Sequence, residues 1–397
     1  MPSVLPATAG PRNNSRSHTR PRPGPIFDHT IVARAGSGSE VTITATPVPR
    51  EGIMELFGRL AAALHELDAN LVHLMVFGNV AAEPAGTEAM RRIFGALDWP
   101  VTWVDGSACD GQPIAGLQAF AVMGREVQRI RQNGGVIGSV YEDGTFRHCR
   151  LGGLGPNQLS APRGEQTKQT LDNLGAALAS GGFGFADVMR TWFYLDDILS
   201  WYGEFNQART QVYSGIKFRT GSLPASTGIG ARNCAAAALT VGAWAVQPLS
   251  PAGRVEEVAS PLQCPAPCYG SSFSRATEIS SPAGRALTVS GTASISPDGR
   301  TLWVGDVRQQ LSQTMQVVEK ILQARRFEWA DVTRATAYFK HRADAPALAE
   351  WSAENSSLPP LAVASHCDIC RDDLLFEIEV DAWKHNRRVG ATAGQAA

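Results

Sequence analysis

The stretch Cys370-Arg-Asp-Asp-Leu-Leu-Phe-Glu-Ile-Glu-Val-Asp-Ala-Trp383 decides the fold of its neighbourhood and suggests a site. From Phe376 onward apolar and acidic residues alternate, and this period of two predicts a β-strand with one apolar face. Three carboxylates, from Glu377, Glu379 and Asp381, occupy the other face. Carboxylates repel one another unless water solvates them or one of them holds a proton. The stretch is therefore either a solvated outer face or a site that keeps one carboxyl group protonated.

The composition of the 397-residue chain indicates a globular protein of two or three domains. Hydrophobic residues make up 44% of it, and no apolar run is long enough for a membrane span. A net charge of −1 gives no positive field that would attract nucleic acid. Seven cysteines and the lack of an apolar leader favour a cytoplasmic protein with free thiols. A disordered tail is predicted over residues 1–26 and a flexible tail over residues 385–397. The first tail is basic, and its alternative interpretation is an arm that binds nucleic acid.

The same succession of elements occurs three times: an amphipathic helix, a strand, a second helix and a closing strand. The first strands of the copies begin at Ala69, Ala186 and Ala330, so successive copies are offset by 117 and 144 residues, about one small domain each. Helices that follow hairpins predict α+β units, each with two helices on one face of a sheet. The predicted units cover residues 27–124, 135–248 and 255–384. Gly/Pro-rich joints are predicted between them, near 124–135 and 248–267.

The closing strands of the three copies differ at one position. Where the third copy has Glu377, the second has Thr240 and the first has Gly116 or Leu117. A carboxylate that served only the architecture would recur in every copy. The asymmetry therefore favours a functional role for Glu377.

Several motifs of the third copy resemble the RidA/YjgF family. They are Val289-Ser-Gly-Thr-Ala-Ser-Ile295, Gly305-Asp-Val307, Gln310, Trp329-Ala-Asp-Val332 and Phe376-Glu-Ile-Glu379. The resemblance is strongest over residues 260–384, extends over 135–248 and is weakest over 27–124. Members of this family are small α+β subunits whose homotrimers hold active sites between subunits. The resemblance implies three RidA/YjgF-like (chorismate-mutase-like) units that form a pseudo-trimer within one chain, as a monomer or weak homo-oligomer.

Two further motifs, Pro224-Ala-Ser-Thr-Gly-Ile-Gly-Ala231 and Cys370 to Glu379, resemble the chorismatases, RidA-like enzymes that hydrolyse chorismate and release pyruvate. This resemblance implies a cofactor-free hydrolase for a dianionic, chorismate-like small molecule. Glu377 would be the general acid, because protonation of the enol methylene carbon needs a carboxyl group that is protonated near neutral pH. The positions implied to bind substrate are Arg190, Tyr194, Tyr202, Arg209, Gly230, Ala231, Tyr338, Lys340 and Cys370, with Arg232 and Arg371 as weaker candidates.

Some of these residues have a plain structural interpretation as well. Tyr194 and Tyr338 lie on predicted strands that would simply bury them, and Arg209 is equally compatible with a surface charge on a helix. Ala231 and Cys370 stand at the positions where chorismatase subgroups differ in product. Their combination here leaves the product open.

Two other functions are open at this stage. The family's imine deaminases place an arginine about fifteen residues before the strand glutamate. At that position this chain has no arginine: the third copy has Leu361-Ala-Val-Ala364, and the second copy has Ser226. An imine deaminase or a metabolite-binding protein is therefore the alternative to a chorismatase. A zinc site can be drawn from His366 and four cysteines, but their spacing lacks two tight pairs, so we predict no metal. No glycine-rich nucleotide motif is present, and no nucleotide cofactor is predicted.

Overall fold

The computed structural model describes residues 30–35, 39–355 and 362–386. The predicted tail over residues 1–26 and all but two residues of the predicted tail over 385–397 lie outside these ranges. Within them the chain forms three mixed sheets, each with helices packed on one face. This architecture confirms the predicted α+β class with three repeated units.

Unit one contains a five-stranded sheet in the order β1-β2-β5-β3-β4. Its two helices carry an apolar face that packs on this sheet, with Leu56, Phe57 and Leu60 fully buried on the first helix. The elements are β1 (Thr30–Ala35), β2 (Glu40–Ala45), α1 (Ile53–Glu66), β3 (Ala69–Gly78), α2 (Glu83–Phe94), β4 (Val101–Val104) and β5 (Ile114–Met123).

Unit two contains a six-stranded sheet in the order β10-β9-β11-β8-β7-β6. Its elements are β6 (Gln128–Gln132), β7 (Gly135–Glu142), β8 (Phe146–Leu154), α3 (Arg163–Ser180), β9 (Val188–Leu195), α4 (Ile198–Tyr213), β10 (Ala225–Gly230) and β11 (Leu239–Pro248). The first strand of this unit lies in the joint predicted near 124–135, so that prediction was wrong about where the sheet begins.

Unit three repeats the plan with the strand order β12-β13-β14-β17-β15-β16. Its elements are β12 (Arg254–Val258), β13 (Ala276–Ser280), β14 (Gly284–Ala293), α5 (Val307–Ala324), β15 (Val332–Phe339), α6 (Pro346–Asn355), β16 (Ala362–His366) and β17 (Phe376–His385). Its first strand also lies inside a predicted joint, the one near 248–267. Gly and Pro content marks the turns between the units but not the edge strands beside them.

The sheet registers align the three closing strands with one another. β17 pairs with β15 so that Glu377 lies opposite Tyr338. The corresponding strand pair of unit two, β11 with β9, places Thr240 opposite Tyr194. In unit one, β5 pairs with β3 and places Gly116 opposite Phe77. The residue of unit one that corresponds to Glu377 is therefore Gly116 and not Leu117.

Each unit contacts both of the others through buried or half-buried polar pairs. Units two and three are joined by Arg190 and Glu379, whose Nη2 and Oε2 atoms are 2.6 Å apart. Gln118 of unit one donates from Nε2 to the carbonyl oxygen of Ala335 in unit three, at 2.9 Å. The Tyr141 hydroxyl of unit two donates to Glu40 of unit one at 2.5 Å. The clefts between units are thus built within a single chain.

These contacts bury both faces of β17. Its apolar residues lie in the core of unit three beneath α5. On the other face Glu377 and Glu379 are only 4% and 0% exposed, because unit two covers them. The interpretation of this face as a solvated outer surface is therefore wrong.

Candidate active site

A cavity of about 700 Å³ lies between units two and three. Unit two supplies one wall from α4 and β10, and unit three supplies the other from β14 and the start of β17. The volume is within the range of pockets that hold small-molecule ligands. The lining residues used below are Tyr202, Arg209, Ser226, Tyr269, Arg275, Gly291, Cys370, Arg371 and Glu377.

Glu377 is the acid that lines this cavity. Burial, and after it the negative charge of Glu379, raise the pKa of its carboxyl group to about 8. Gly291 lies directly against the carboxyl group, since a Cβ at this position would collide with Oε1 of Glu377. Near neutral pH, Glu377 is therefore a protonated carboxylic acid, and the absence of a side chain at Gly291 leaves room for its Oε1 atom.

Glu379, two residues further along β17, is the centre of a buried ionic cluster. Its Oε2 atom accepts hydrogen bonds from Arg190 Nη2 at 2.6 Å and from the Thr227 hydroxyl at 2.5 Å. Arg334 Nη1 donates to Oε1 at 2.7 Å, and the indole nitrogen of Trp192 donates to Oε2 at 3.0 Å. All these groups are buried, and the arginines come from two different units. The cluster fixes a negative charge behind Glu377 and ties the two walls of the cavity together.

Packing fills the positions at the two interfaces of unit one that correspond to this cavity. A Cβ at Gly116, which corresponds to Glu377, would meet the side chain of Val363 in unit three at 2.7 Å. At the interface with unit two, a Cβ at Gly152 would meet the side chains of His73 and Thr102. Among the described residues, the cavity that Glu377 lines therefore lies at the interface between units two and three.

Comparison with known proteins places this architecture in a family. The profile of the family described as Endoribonuclease L-PSP matches residues 266–384. A RutC family protein of Pyrococcus horikoshii is 31% identical over 103 residues, which cover 26% of this chain and 82% of that protein. The chain belongs to the RidA/YjgF family.

Two curated relatives of this RidA/YjgF member come from Streptomyces hygroscopicus. A 3-hydroxybenzoate synthase is 26% identical over 224 residues, covering 50% of this chain and 64% of that protein. A chorismatase is 28% identical over 220 residues, covering 49% of this chain and 61% of that protein. The matches thus span less than two thirds of either relative.

A solved structure extends the likeness beyond those matches. The crystal structure of a chorismatase superposes with a TM-score of 0.58 at 21% identity, covering 79% of this chain and 92% of that one. At this identity the superposition speaks for the fold alone. With the curated relatives, it confirms the predicted resemblance to chorismatase-like members of the RidA/YjgF family.

The structure brings four of the predicted site residues together at the cavity. Tyr202 and Arg209 from α4 face it from unit two, and Cys370 and Glu377 face it from unit three. The interpretation of Arg209 as a surface charge is wrong, because its side chain is only 1% exposed. Burial raises the pKa of the Cys370 thiol to about 12, so this cysteine contributes a neutral wall.

Arg190 does not line the cavity, which corrects its predicted role in binding substrate. Its guanidinium group is fully buried between the units and donates to Glu379 and Thr227. The reason is its position on β9, the strand of unit two next to the edge strand β10. Its positive charge pairs with Glu379 and stabilises the interface behind the cavity.

Tyr194 and Tyr338 are likewise corrected from substrate-binding residues to core residues. They occupy corresponding positions on β9 and β15 and are 1% and 0% exposed. Burial raises the pKa of both phenols well above the usual value. Their hydroxyl groups have no hydrogen-bond partner within the described part of the chain. This outcome agrees with the structural interpretation of their strands.

Lys340 also lies away from the cavity wall. It follows the last residue of β15, and its Nζ atom pairs with Oδ1 of Asp372 at 2.6 Å. The predicted contact with a substrate carboxylate is corrected, because the end of β15 points the ammonium group at this loop.

Gly230 and Ala231 line a different cavity, of about 410 Å³, together with Arg232, Arg342 and several aspartates. β10 passes the first cavity at Ser226 and Gly228 and reaches the second cavity only at its end. Ala231 and Cys370 therefore line different cavities. Their bearing on the product stays a prediction.

Sequence reasoning missed Arg275 and underrated Arg371. Arg275 precedes β13, is 4% exposed, and donates to the carbonyl oxygen of Cys264 from Nε at 3.1 Å and Nη2 at 2.8 Å. Arg371 donates to the Gly299 carbonyl oxygen at 2.8 Å. Both guanidinium groups lie against the ring of Tyr269, at 5.3 and 5.2 Å from its centroid. No local motif marks Arg275, since only the pairing of β13 with β14 brings it to the site.

The cysteines that suggested a zinc site are all free thiols. Across the described ranges, no group of three or more His, Cys, Asp or Glu side chains is arranged to hold a metal ion. The helices in those ranges include none that is long and apolar enough to cross a membrane.

Proposed function

We propose that the protein hydrolyses the enolpyruvyl ether of chorismate, or of a closely similar enol-ether acid, to pyruvate and a ring acid. The observation that carries the proposal is the cavity wall formed by Glu377, a buried acid with a pKa of about 8, among arginines. A carboxyl group that stays protonated near neutral pH is what protonation of an enol ether carbon requires. The arginines suit a substrate with carboxylate groups.

The proposed steps use only this acid and water. Glu377 donates its proton to the methylene carbon, and the adjacent carbon becomes an oxocarbenium ion. Water adds to that carbon, and the resulting hemiketal collapses as the bond from this carbon to the ring oxygen breaks and the hemiketal hydroxyl proton passes to the ring oxygen, giving pyruvate and a ring alcohol. The proton that the water loses on addition returns to Glu377, so one water is consumed and no oxidant or reductant is needed. A ring hydroxyl group is the other nucleophile that fits the same first step.

The comparisons support this choice of substrate. Both curated relatives from Streptomyces hygroscopicus carry names that refer to chorismate or to a hydroxybenzoate product. The test is pyruvate release from chorismate by the purified protein, followed with a coupled lactate dehydrogenase assay. Release of ammonia from a 2-imino acid, without turnover of chorismate, would favour the imine deaminase instead.

The raised pKa of Glu377 predicts how the activity depends on pH. The protonated form is the active one, so kcat/KM should be constant below about 8 and should fall as pH rises through about 8. Above that point one protonation controls the rate, and the loss should approach roughly tenfold per pH unit. Initial rates of pyruvate release between acid and alkaline pH check this. If kcat/KM instead increased as pH rises through about 8, Glu377 would act as a base.

Gly291→Ala tests the close contact with the acid. The added methyl group would collide with Oε1 of Glu377 and displace the carboxyl group from its position in the cavity. A displacement of about 1 Å in a reacting group costs about 100-fold in rate, so we expect kcat to fall to that extent. Gly58→Ala on α1 is the matched control, because a Cβ there meets open space. Equal kcat values for the two variants would contradict the proposed position of the acid.

A further inference from the structure

Two buried arginines of the cavity direct their hydrogen bonds at neutral oxygens. Within the described part of the chain, Arg209 donates to Asn206 Oδ1 at 2.6 Å and to Ser226 Oγ at 3.4 Å. Arg275 donates to the carbonyl oxygen of Cys264. A buried guanidinium group without an anion is unfavourable. The two groups are therefore suited to receive anionic groups of a ligand.

Arg275 and the acid are on the same wall. The carbonyl oxygen of Arg275 accepts a hydrogen bond from the backbone N–H of Ser290 at 2.9 Å. The next residue, Gly291, lies against the carboxyl group of Glu377. Three neighbouring segments of unit three thus carry the arginine, the glycine and the acid, and all three residues line the same cavity.

Arg209 is on the opposite wall. It projects from α4 of unit two to the hydroxyl group of Ser226 on β10. Ser226 is the residue that occupies the position of the deaminase arginine in the second copy. The helix therefore supplies a guanidinium group next to the place where the strand lacks one.

The chemistry of an enolpyruvyl ether assigns these two positions. The methylene carbon that receives the proton is bonded to the carbon that carries the side-chain carboxylate, whereas the ring carboxylate is several bonds away. The carboxylate that lies next to Glu377 during proton transfer must then be the one on the enol carbon. We infer that Arg275 binds the enolpyruvyl carboxylate and that Arg209 binds the ring carboxylate. This inference rests on the proposed function, and it restricts the substrates to enol ethers with a carboxylate on the enol carbon.

The neighbours of Arg275 suit this role. The ring of Tyr269 lies 5.3 Å from the guanidinium group, while Nε and Nη2 donate to the Cys264 carbonyl oxygen. A planar, fixed guanidinium group binds a carboxylate with defined geometry, which a lysine does not reproduce. The assignment therefore predicts that Arg275 orients the reacting end of the substrate and not merely its charge.

The test measures binding of the two halves of the substrate separately by isothermal titration calorimetry. Pyruvate serves as the probe for the reacting half and 3-hydroxybenzoate as the probe for the ring half. Arg275→Met should weaken pyruvate binding by about 10- to 100-fold, the effect of losing a charged hydrogen-bonding partner, and should change 3-hydroxybenzoate binding less than about 2-fold. Arg209→Met should show the reverse pattern. Arg275→Lys keeps the charge, and it should recover pyruvate binding only in part.

Lys384→Ala is the matched control, since it removes one positive charge of the same unit, paired with Asp331 outside the cavity. It should alter neither binding constant. Thermal unfolding of every variant checks that the fold is intact, and Arg275→Lys provides the comparison if Arg275→Met unfolds. The inference would be overturned if each variant lost binding of both probes, or if Arg275→Met lost 3-hydroxybenzoate and Arg209→Met lost pyruvate. It would also be overturned if the unmutated protein bound neither probe. Failure to release pyruvate from chorismate would instead overturn the proposed function, and the binding pattern would still decide between the two arginines.

Discussion

Glu377→Gln is expected to lower kcat for pyruvate release by at least about 10²–10⁴-fold, the usual contribution of a general acid. Glutamine keeps the shape and volume of the side chain and has no proton to donate to carbon. Because Glu377 is neutral near pH 7, the substitution changes no charge in the cavity. Binding of 3-hydroxybenzoate should therefore survive, and the loss should appear in kcat with little change in KM.

Two comparisons make this prediction specific. Glu377→Asp keeps an acid but withdraws it from the cavity, so its kcat should lie between those of the parent and the glutamine variant. Glu88→Gln, at an exposed ion pair on α2, should leave kcat unchanged. A Glu377→Gln protein that turns over chorismate at the parent rate would remove Glu377 from the mechanism.

Arg190→Met should destabilise the fold by about 3–5 kcal/mol, because it leaves the buried carboxylate of Glu379 with one guanidinium partner fewer. Both side chains are fully buried, and the pair joins units two and three. The free energy of unfolding, from urea denaturation followed by tryptophan fluorescence, measures the effect. A decrease of this size would show that the interface behind the cavity depends on the ionic cluster.

The control for this experiment is a pair of the same chemistry on the surface. Arg92 and Glu88 form an ion pair on α2 with side chains 67% and 53% exposed. Arg92→Met should cost no more than about 0.5 kcal/mol, as is usual for exposed pairs on helices. If Arg190→Met unfolds at the same urea concentration as Arg92→Met, the buried cluster does not stabilise the fold.

The sequence predicted those features that depend on local periodicity. The alternation after Phe376 identified β17, and the repeated succession of elements identified three α+β units. The same alternation placed the three carboxylates on one face, but it could not show what covers that face. The covering residues, such as Thr227 and Arg190, lie far away in the chain and belong to another unit.

The errors at the site have the same origin. Arg190, Tyr338 and Lys340 lie on or next to strands, and a strand pattern does not tell an interface from a cavity wall. The structure separates them because β9 and β15 are inner strands, flanked by partners on both sides. Arg275 was missed since its relation to Glu377 passes through two strand pairings in the sheet of unit three. Such relations become visible only when the register is known.

The origin of both cavity walls in one chain has a consequence for how the three interfaces change over time. In a ring of identical subunits every substitution appears three times, so an improvement at one cleft is imposed on its two copies. Here Glu377, Thr240 and Gly116 occupy corresponding positions and are encoded separately. The interface between units two and three can therefore carry the acid Glu377, while the interface between units three and one is packed against Gly116. The activity of such a site needs no encounter between subunits, and the rate per molecule should be the same at nanomolar and at micromolar protein.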